Sequence, residues 1–333
     1  VCSRKGILVK NSESLENAHK VKTIVFDKTG TLTKGTLSVS KIYNYSELSD
    51  NELLSICASV EKKSEHPIAR AIIEEVEYRK IKLQEISDFK VISGQGVSAK
   101  VDQYEVLIGN RKLMEQANIA IQKDDSEELM NDGNSILFIG LNGKLAGLIG
   151  VKDVVKENVV DVIAKLKKRN INVVMLTGDN EKTAKKIAES IGIDNIIANV
   201  MPKQKAEQID KFKKDGLVMM CGDGINDSVS LVKADIGVSV SSGTDIAMDS
   251  AQVVIMNDNL ERINDLIDIS AKTIRNIKQN LFWAFFYNVC MIPFAMGVFT
   301  SIGLSMNPML AALAMTLSSL FVVLNALRLR GIK

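Results

Sequence analysis

An excess of charge of one sign is the first thing missing from this chain of 333 residues: 42 Lys and Arg stand against 40 Asp and Glu, a net of +2. So even a balance gives no sign of a nucleic-acid partner. Cysteine is sparse. Cys2, Cys57, Cys221 and Cys290 lie far apart with no C-x-x-C pair, which argues for free thiols in a reducing compartment rather than a disulfide framework or a thiolate metal site. Nothing near Val1 looks like a signal peptide, and the chain reads as a processed piece or a fragment. A third absence is regional. Between Lys278 and Arg328 there is no Asp, Glu, Lys, Arg or His. That span is too long for one membrane helix at roughly 20 residues and suits two. Residues 301–308 supply a turn. Lys272, Arg275 and Lys278 before the span and Arg328, Arg330 and Lys333 after it place both ends on the cytoplasmic side. A buried hairpin in a soluble protein would be unusually long and uncharged.

What is present is a chain long enough for two soluble domains and more. Its centre is Asp27-Lys28-Thr29-Gly30-Thr31-Leu32-Thr33. The apolar run from Thr23 to Phe26 reads as a buried parallel strand, so Asp27 falls at its carboxyl end, where open α/β sheets put their ligands. A carboxylate there, followed by a lysine, threonine hydroxyls and a glycine turn, suits a nucleophile that attacks a phosphoryl group. Phosphatases with a nucleophilic Asp often carry a second Asp two places on, which later activates the hydrolytic water. Here that place holds Thr29, no base near neutral pH, so an aspartyl-phosphate at Asp27 should persist long enough to drive a conformational change.

Residues 51–79 read as helical with apolar positions on one face, interrupted at Ser64-Glu65-His66-Pro67; Pro67 fits the first turn of a second helix with Ser64 or Glu65 near its cap. Alternating segments at 89–92, 96–101, 105–108 and 136–139 read as strands. From Gly150 an α/β rhythm begins: a helix over 157–169, a strand over 172–176 ending in Thr177-Gly178-Asp179-Asn180, a helix over 181–190 capped by Asn180 or Asp179, and strands at 217–221, 236–240 and 252–255. Such alternation argues for a parallel sheet covered by helices. Residues 1–20, ending in a short helix, form a stalk segment in which His19 reads as a solvated surface residue with no role. The expected division is a phosphorylation domain of residues 21–39 and 149–265, an inserted α+β nucleotide-binding domain of residues 40–148, a second stalk over 266–278, and transmembrane helices at 279–300 and 307–328.

Three further clusters complete a phosphoryl-transfer site. Thr177 can hydrogen-bond a phosphoryl oxygen, Lys205 in Met-Pro-Lys-Gln-Lys-Ala supplies a fixed positive charge, and Asp223 and Asp227 in Gly-Asp-Gly-Ile-Asn-Asp are hard oxygen ligands suited to Mg²⁺. Taken singly, Thr177 could be a helix cap, Lys205 a solvated lysine and Asp223 a turn acid. In the order DKTGTLT, MLTGDN, MPKQKA, GDGIND, the set resembles the P-type ATPases, built on the haloacid-dehalogenase-like fold. The resemblance implies Asp27 as the phosphorylated residue, with Thr29, Thr177 and Lys205 catalytic and Mg²⁺ held by Asp27, Thr29, Asp223 and Asp227. One departure is Ser228-Val229-Ser230-Leu231, where the family usually has Ala-Pro-Ala-Leu; the acids are intact.

Ser64-Glu65-His66-Pro67 resembles the signature of the heavy-metal-transporting P-type ATPases, and Gly94-Gln95-Gly96 with Gly109-Asn110 is similar to their nucleotide site. By that resemblance Glu65, His66, Gly94, Gly96, Gly109 and Asn110 bind ATP, the glycines letting backbone approach the nucleotide. In the hairpin, Met315 and Ser319 lie four residues apart on one helix face, and Tyr287 and Asn288 lie in the preceding helix. A thioether is a soft donor that favours Cu⁺ or Ag⁺ over Zn²⁺, and the hairpin has no carboxylate. Tyr-Asn followed by Met-x-x-Ser-Ser resembles the last two membrane helices of copper-exporting members.

The resemblance covers essentially the whole chain but implies a larger pump. A complete member has earlier membrane helices with a Cys-Pro-Cys motif and an actuator domain with a Thr-Gly-Glu loop, and neither motif occurs here. The implied function is ATP-driven export of Cu⁺ from a multi-pass membrane protein with cytoplasmic catalytic domains. This chain alone is expected to bind ATP and Mg²⁺ and to load Asp27, while transport needs lipid and the remaining part of the pump. A Zn²⁺/Cd²⁺-type pump, a phosphatase of the same fold and a nucleotide-binding accessory piece are the alternatives.

Overall fold

The computed structural model describes residues 1–64, 66–121, 123–223, 227–240, 249–298 and 308–331. Along the chain the elements are β1 (Ile7–Val9), α1 (Ser12–Asn17), β2 (Thr23–Asp27), β3 (Thr33–Asn44), α2 (Asp50–Glu61), α3 (Pro67–Tyr78), β4 (Ile86–Ile92), β5 (Gly96–Val101), β6 (Tyr104–Gly109), α4 (Arg111–Gln116), α5 (Lys123–Asn131), β7 (Ser135–Leu141), β8 (Lys144–Val155), α6 (Val159–Lys168), β9 (Asn172–Leu176), α7 (Glu181–Ile191), β10 (Asn195–Ile197), α8 (Pro202–Phe212), β11 (Val218–Gly222), α9 (Ser228–Lys233), β12 (Ile236–Ser239) and β13 (Val253–Ile255). A long helix, Glu261–Ala295, and a last helix, Pro308–Leu327, follow.

The chain divides into two compact units. The first holds Val1–Val25, Lys165–Asn172 and Ala206–Lys333; the second holds Phe26–Ala164 and Val173–Lys205. In the first, the strand order is β1-β13-β12-β11 and then the start of β2. β11, β12 and β13 pair in parallel, and β1 closes the edge antiparallel to β13. β11, β12 and β13 are buried at every position, as strands covered on both faces must be.

In the second unit the end of β2 is followed by β9 and β10 in strand order, the last two parallel. Its other sheet is antiparallel, in the order β3-β8-β7-β6-β5-β4. One core lies between this sheet and α2 and α3, with Leu53, Leu54, Ile56, Cys57 and Val60 meeting Val97, Val106, Ile108 and Ile139. The α/β fold class is as expected. β3 and β8, each twelve residues long, were not foreseen. They run through the positions at which the inserted domain was expected to begin and end.

Two expectations are corrected. His66, rather than Ser64 or Glu65, caps α3: its ring Nδ1 accepts from Ile68 N at 3.2 Å, because Pro67 at the first helical position leaves the next amide for the preceding side chain. His19 is half-buried rather than solvated, and its backbone N and Nδ1 lie 3.0 and 3.1 Å from the Ser270 hydroxyl. The expected membrane hairpin at 279–300 and 307–328 is not shown: among the described residues no helix is long and apolar enough to cross a membrane. One continuous helix runs from Glu261 through the expected stalk and ends at Ala295, with Pro293 in its last turn. Its charge-free part, 279–295, spans only about 25 Å at ~1.5 Å per residue, against a hydrocarbon core of about 30 Å. Residues 299–307 lie outside those described.

Candidate functional site

The site begins with β2, a five-residue strand of Thr-Ile-Val-Phe-Asp buried at every position. Asp27 ends it and is only 5% exposed. The chain then leaves the strand through Thr29 in an extended conformation and Gly30 at φ 72°, a left-handed bend open to glycine at little cost. Thr29 is exposed. The loop is held from below: Lys156 Nζ donates to Gly30 O at 2.7 Å, Gly35 N donates to an Asp153 oxygen at 3.1 Å, and the Thr33 hydroxyl lies 2.6 Å from the other Asp153 oxygen and 2.9 Å from Lys28 O. Within this loop the Thr31 hydroxyl is buried with no hydrogen-bond partner among the described residues.

Lys205 comes from the first turn of α8, started by Pro202. Its ammonium lies 2.5 Å from Asp27 Oδ1, and both side chains are less than one-tenth exposed. A salt bridge this dry adds little certain stability, because desolvation offsets the attraction; it fixes one cation against one carboxylate oxygen. Lys28 turns the other way, to Asp179 Oδ2 at 2.7 Å, and joins this loop to the one after β9. Asp179 N donates to the Thr177 hydroxyl at 3.1 Å. With its oxygen accepting there, Thr177 keeps its own proton to donate.

Asp223 and Asp227 belong to the other unit and follow β11. Asp227 is fully buried at the start of α9. A Cβ on Gly222 would stand 2.9 Å from its carboxylate, so glycine is what lets that acid sit against the strand end. Residues 224–226 lie outside those described. Among the described residues no group of three or more His, Cys, Asp or Glu could hold a metal ion. Mg²⁺ does not need one, since it keeps several waters and takes one or two carboxylates plus substrate phosphate. Asp223 and Asp227 are oxygen-only donors of the kind that ion takes.

A cavity of about 360 Å³ opens on the antiparallel sheet, lined by Glu61, Ser64, His66, Gly94, Gly96, Gly109 and Asn110 among others. It gathers five of the six residues singled out for a nucleotide; Glu65 lies outside those described. Gly96 and Gly109 are paired across β5 and β6. A Cβ on Gly96 would come within 2.0 Å of Ile108 O, and one on Gly109 within 2.2 Å of Gln95 O, so neither position admits a side chain. Asn110 caps α4 by accepting from Leu113 N at 3.1 Å and donates to Gly94 O at 3.1 Å, tying the glycine turn to the helix. Because His66 Nδ1 already accepts from Ile68 N, a neutral ring carries its proton on Nε2, free for a ligand.

Glu61 was missed from the sequence. It is buried at the end of α2, and burial pushes its carboxyl above the usual range, partly countered by a hydrogen bond with Ser64. The available signal was its position: one charged residue four places after Cys57 on an otherwise apolar helix face.

The residues singled out for a transported ion are not joined by a described contact. Asn288 Nδ2 donates to Ala284 O at 2.9 Å and Ser319 Oγ to Met315 O at 3.1 Å, each within its own helix, and Met315 is 64% exposed. The Tyr287 side chain lies outside those described. The two helices meet instead where Asn276 Nδ2 donates to Asn325 O at 2.7 Å and Asn325 Nδ2 to Asn280 Oδ1 at 2.8 Å. Cys290 is exposed, while Cys57 and Cys221 are buried, where desolvation raises their thiols.

The haloacid dehalogenase-like hydrolase family model matches residues 21–235. The catalytic domain of the CPx-ATPase CopB-B, solved in a study of nucleotide binding, is 31% identical with a TM-score of 0.62, and the match covers 80% of this chain and 96% of that one. The chain belongs to the heavy-metal P-type ATPases. A zinc-transporting PIB-type ATPase in its E2.Pi state is 30% identical with a TM-score of 0.88 over 98% of this chain and 53% of that one. Copper-exporting P-type ATPases of Staphylococcus aureus strains JH9 and MW2 are 43% identical over 332 residues, 98% of this chain. The chain spans 40% of the length of these curated P-type relatives.

Proposed function

We propose that this chain is the ATP-consuming part of a pump that exports monovalent copper, with Asp27 as the residue that carries phosphate. The observation that carries the reading is the dry Asp27–Lys205 pair at a strand end, with Thr29 in the place of a hydrolytic acid. ATP is held in the cavity with His66, Gly94, Gly96, Gly109 and Asn110; His66 Nε2–H and the Glu61 carboxyl are the groups positioned for its base. An Asp27 carboxylate oxygen forms a bond to the γ-phosphorus, the bond from that phosphorus to the bridging oxygen breaks, and ADP leaves with the electron pair. Lys205 offsets the charge gathered on the equatorial oxygens, and Thr177 donates to one of them. Mg²⁺, with Asp27, Thr29, Asp223 and Asp227 to hold it, supplies neutralisation of phosphate charge when bound.

Export itself belongs to the whole pump, with its actuator and earlier helices. Monovalent copper is favoured by Met315, a soft donor, in a hairpin with no carboxylate, and by the 43% identity to copper-exporting relatives; Tyr287, Asn288 and Ser319 complete the proposed ligand wall. Phe282, Phe285, Phe286, Val289 and Ile292 are each at least half exposed. That much apolar surface needs a cover, and we assign it to lipid and the pump's other helices. A zinc pump is the second reading, raised by the zinc-transporting structure. The test is incubation of this chain with γ-labelled ATP and Mg²⁺: acid-stable, hydroxylamine-sensitive label is expected and should vanish in Asp27→Asn. No label in the wild-type chain overturns the phosphorylation reading. Stimulation of the whole pump's ATPase by Zn²⁺ but not Cu⁺ overturns the copper reading.

A further inference from the structure

We propose that the base of the long helix Glu261–Ala295 carries a binding site for an anionic phospholipid headgroup, made by Arg275 and Lys278 beside Trp283. It rests on the membrane reading of the preceding subsection and adds a lipid class to it. A cleft of about 450 Å³ is lined there by His19, Arg275, Lys278, Gln279, Phe282 and Trp283 among others. Arg275 and Lys278 are three residues apart, so they share a helix face, and both are exposed. His19, pinned to Ser270 through its backbone N and ring Nδ1, forms a second wall, which makes this a cleft rather than a bare helix surface.

Charge and spacing select the occupant. The acids of this helix are already engaged lower down: Glu261 with Lys165, Asp265 with Lys5 and Arg262, Asp268 with Arg169. After Asp268 the sequence has no Asp or Glu at all. Beyond the cations stands a cluster of three rings. Phe282 and Trp283 are 5.5 Å apart, with Phe286 at 5.8 and 5.9 Å from them, and each ring is at least half exposed. From Lys278 to Trp283 the helix rises about 7–8 Å at ~1.5 Å per residue. One headgroup layer is about 5–8 Å thick, taking half the difference between the full bilayer and its hydrocarbon core. Cations at phosphate depth and an amphipathic indole where the acyl region begins are the arrangement that anionic lipid meets. A soluble phosphate would use the two cations but leave the rings exposed to water.

The test is flotation of this chain with vesicles of phosphatidylcholine alone and of phosphatidylcholine mixed with phosphatidylglycerol. Phosphatidylglycerol should strengthen partitioning about 30-fold, some fivefold for each cation near an anionic surface. Arg275→Gln/Lys278→Gln should return it to the phosphatidylcholine value, while Lys20→Gln/Lys272→Gln keeps the preference. Equal partitioning into both vesicles, an unchanged preference in the first variant, or an equal loss in the second overturns the site and leaves the membrane reading standing. Failure to float with either vesicle overturns both. If millimolar inorganic phosphate removes the preference, the ligand is a soluble anion and the lipid assignment falls.

Discussion

Removing the Lys205 ammonium should separate what this residue does for the fold from what it does for the reaction. In Lys205→Met the Asp27 carboxylate, 5% exposed and formerly 2.5 Å from a cation, is left buried without that partner. Breaking such a pair from one side costs about 3–5 kcal/mol. Asp27→Asn in the same background removes the buried charge, so Asp27→Asn/Lys205→Met should recover most of the loss. Urea unfolding of the four proteins of this cycle, followed by circular dichroism, reads the coupling between the two sites. The reaction behaves differently. Lys205→Met should slow phosphate incorporation from ATP about 10²–10³-fold, the usual effect of removing one preorganised electrostatic contact, and both variants that carry Asp27→Asn should incorporate none. If Lys205→Met unfolds at the wild-type midpoint, or the double variant is no more stable than Lys205→Met, the pair is not a buried, mutually dependent contact. If labelling is undiminished, Lys205 does not face the transferred phosphoryl group.

Three further outcomes are expected. His66→Asn keeps a good helix cap but loses the ring, so α3 should hold its stability to within a few tenths of a kcal/mol while ATP affinity falls about tenfold, and His66→Ala should lose about 1 kcal/mol of stability as well; calorimetric titration and thermal melts check both. Folded Glu61 holds its proton more tightly than the unfolded chain does, because burial raises its carboxyl above 4.5. Its stability contribution is therefore present below about pH 4.5 and is lost as pH rises through the raised value; Glu61→Gln should flatten that part of a stability-against-pH profile, and an unchanged slope would remove Glu61 as its source. Thr29→Asp places a base two residues from the nucleophile and should shorten the lifetime of labelled Asp27 about 10²–10⁴-fold in a chase with unlabelled ATP.

The short polar motifs were legible because each one is local. A run of apolar β-formers ending in Asp27 states both a strand and the position of its terminal carboxylate, and Thr29 states by chemistry alone that no acid stands two places on. The α/β alternation from Gly150 likewise located β9, α7, β11 and β12 to within a residue or two, since period and turn residues are written in neighbouring positions. The partnership of Asp27 and Lys205, 178 positions apart, could be argued in role but not in distance. The Gly96–Gly109 contact was carried by motif, whereas its reason, a backbone approach that no Cβ can enter, belongs to the pairing of two strands.

Other features belonged to the tertiary structure alone. Glu61 looked like a helix residue among many until α2 packed against the sheet and left its carboxyl lining a cavity. His19 read as solvated because nothing in its own segment says that Ser270, 251 positions away, will stand beside it. The same holds for Lys156 under Gly30 and for Asp153 beside Thr33, which reach the loop only because β8 returns alongside β3. The sequence by itself determined which chemistry is available: one nucleophilic carboxylate, oxygen donors for Mg²⁺, a soft thioether and a stretch without charge. Which groups are dry, which lysine faces Asp27 and which helix surfaces stay uncovered were decided by tertiary structure, because burial and distance depend on contacts between residues far apart in the chain.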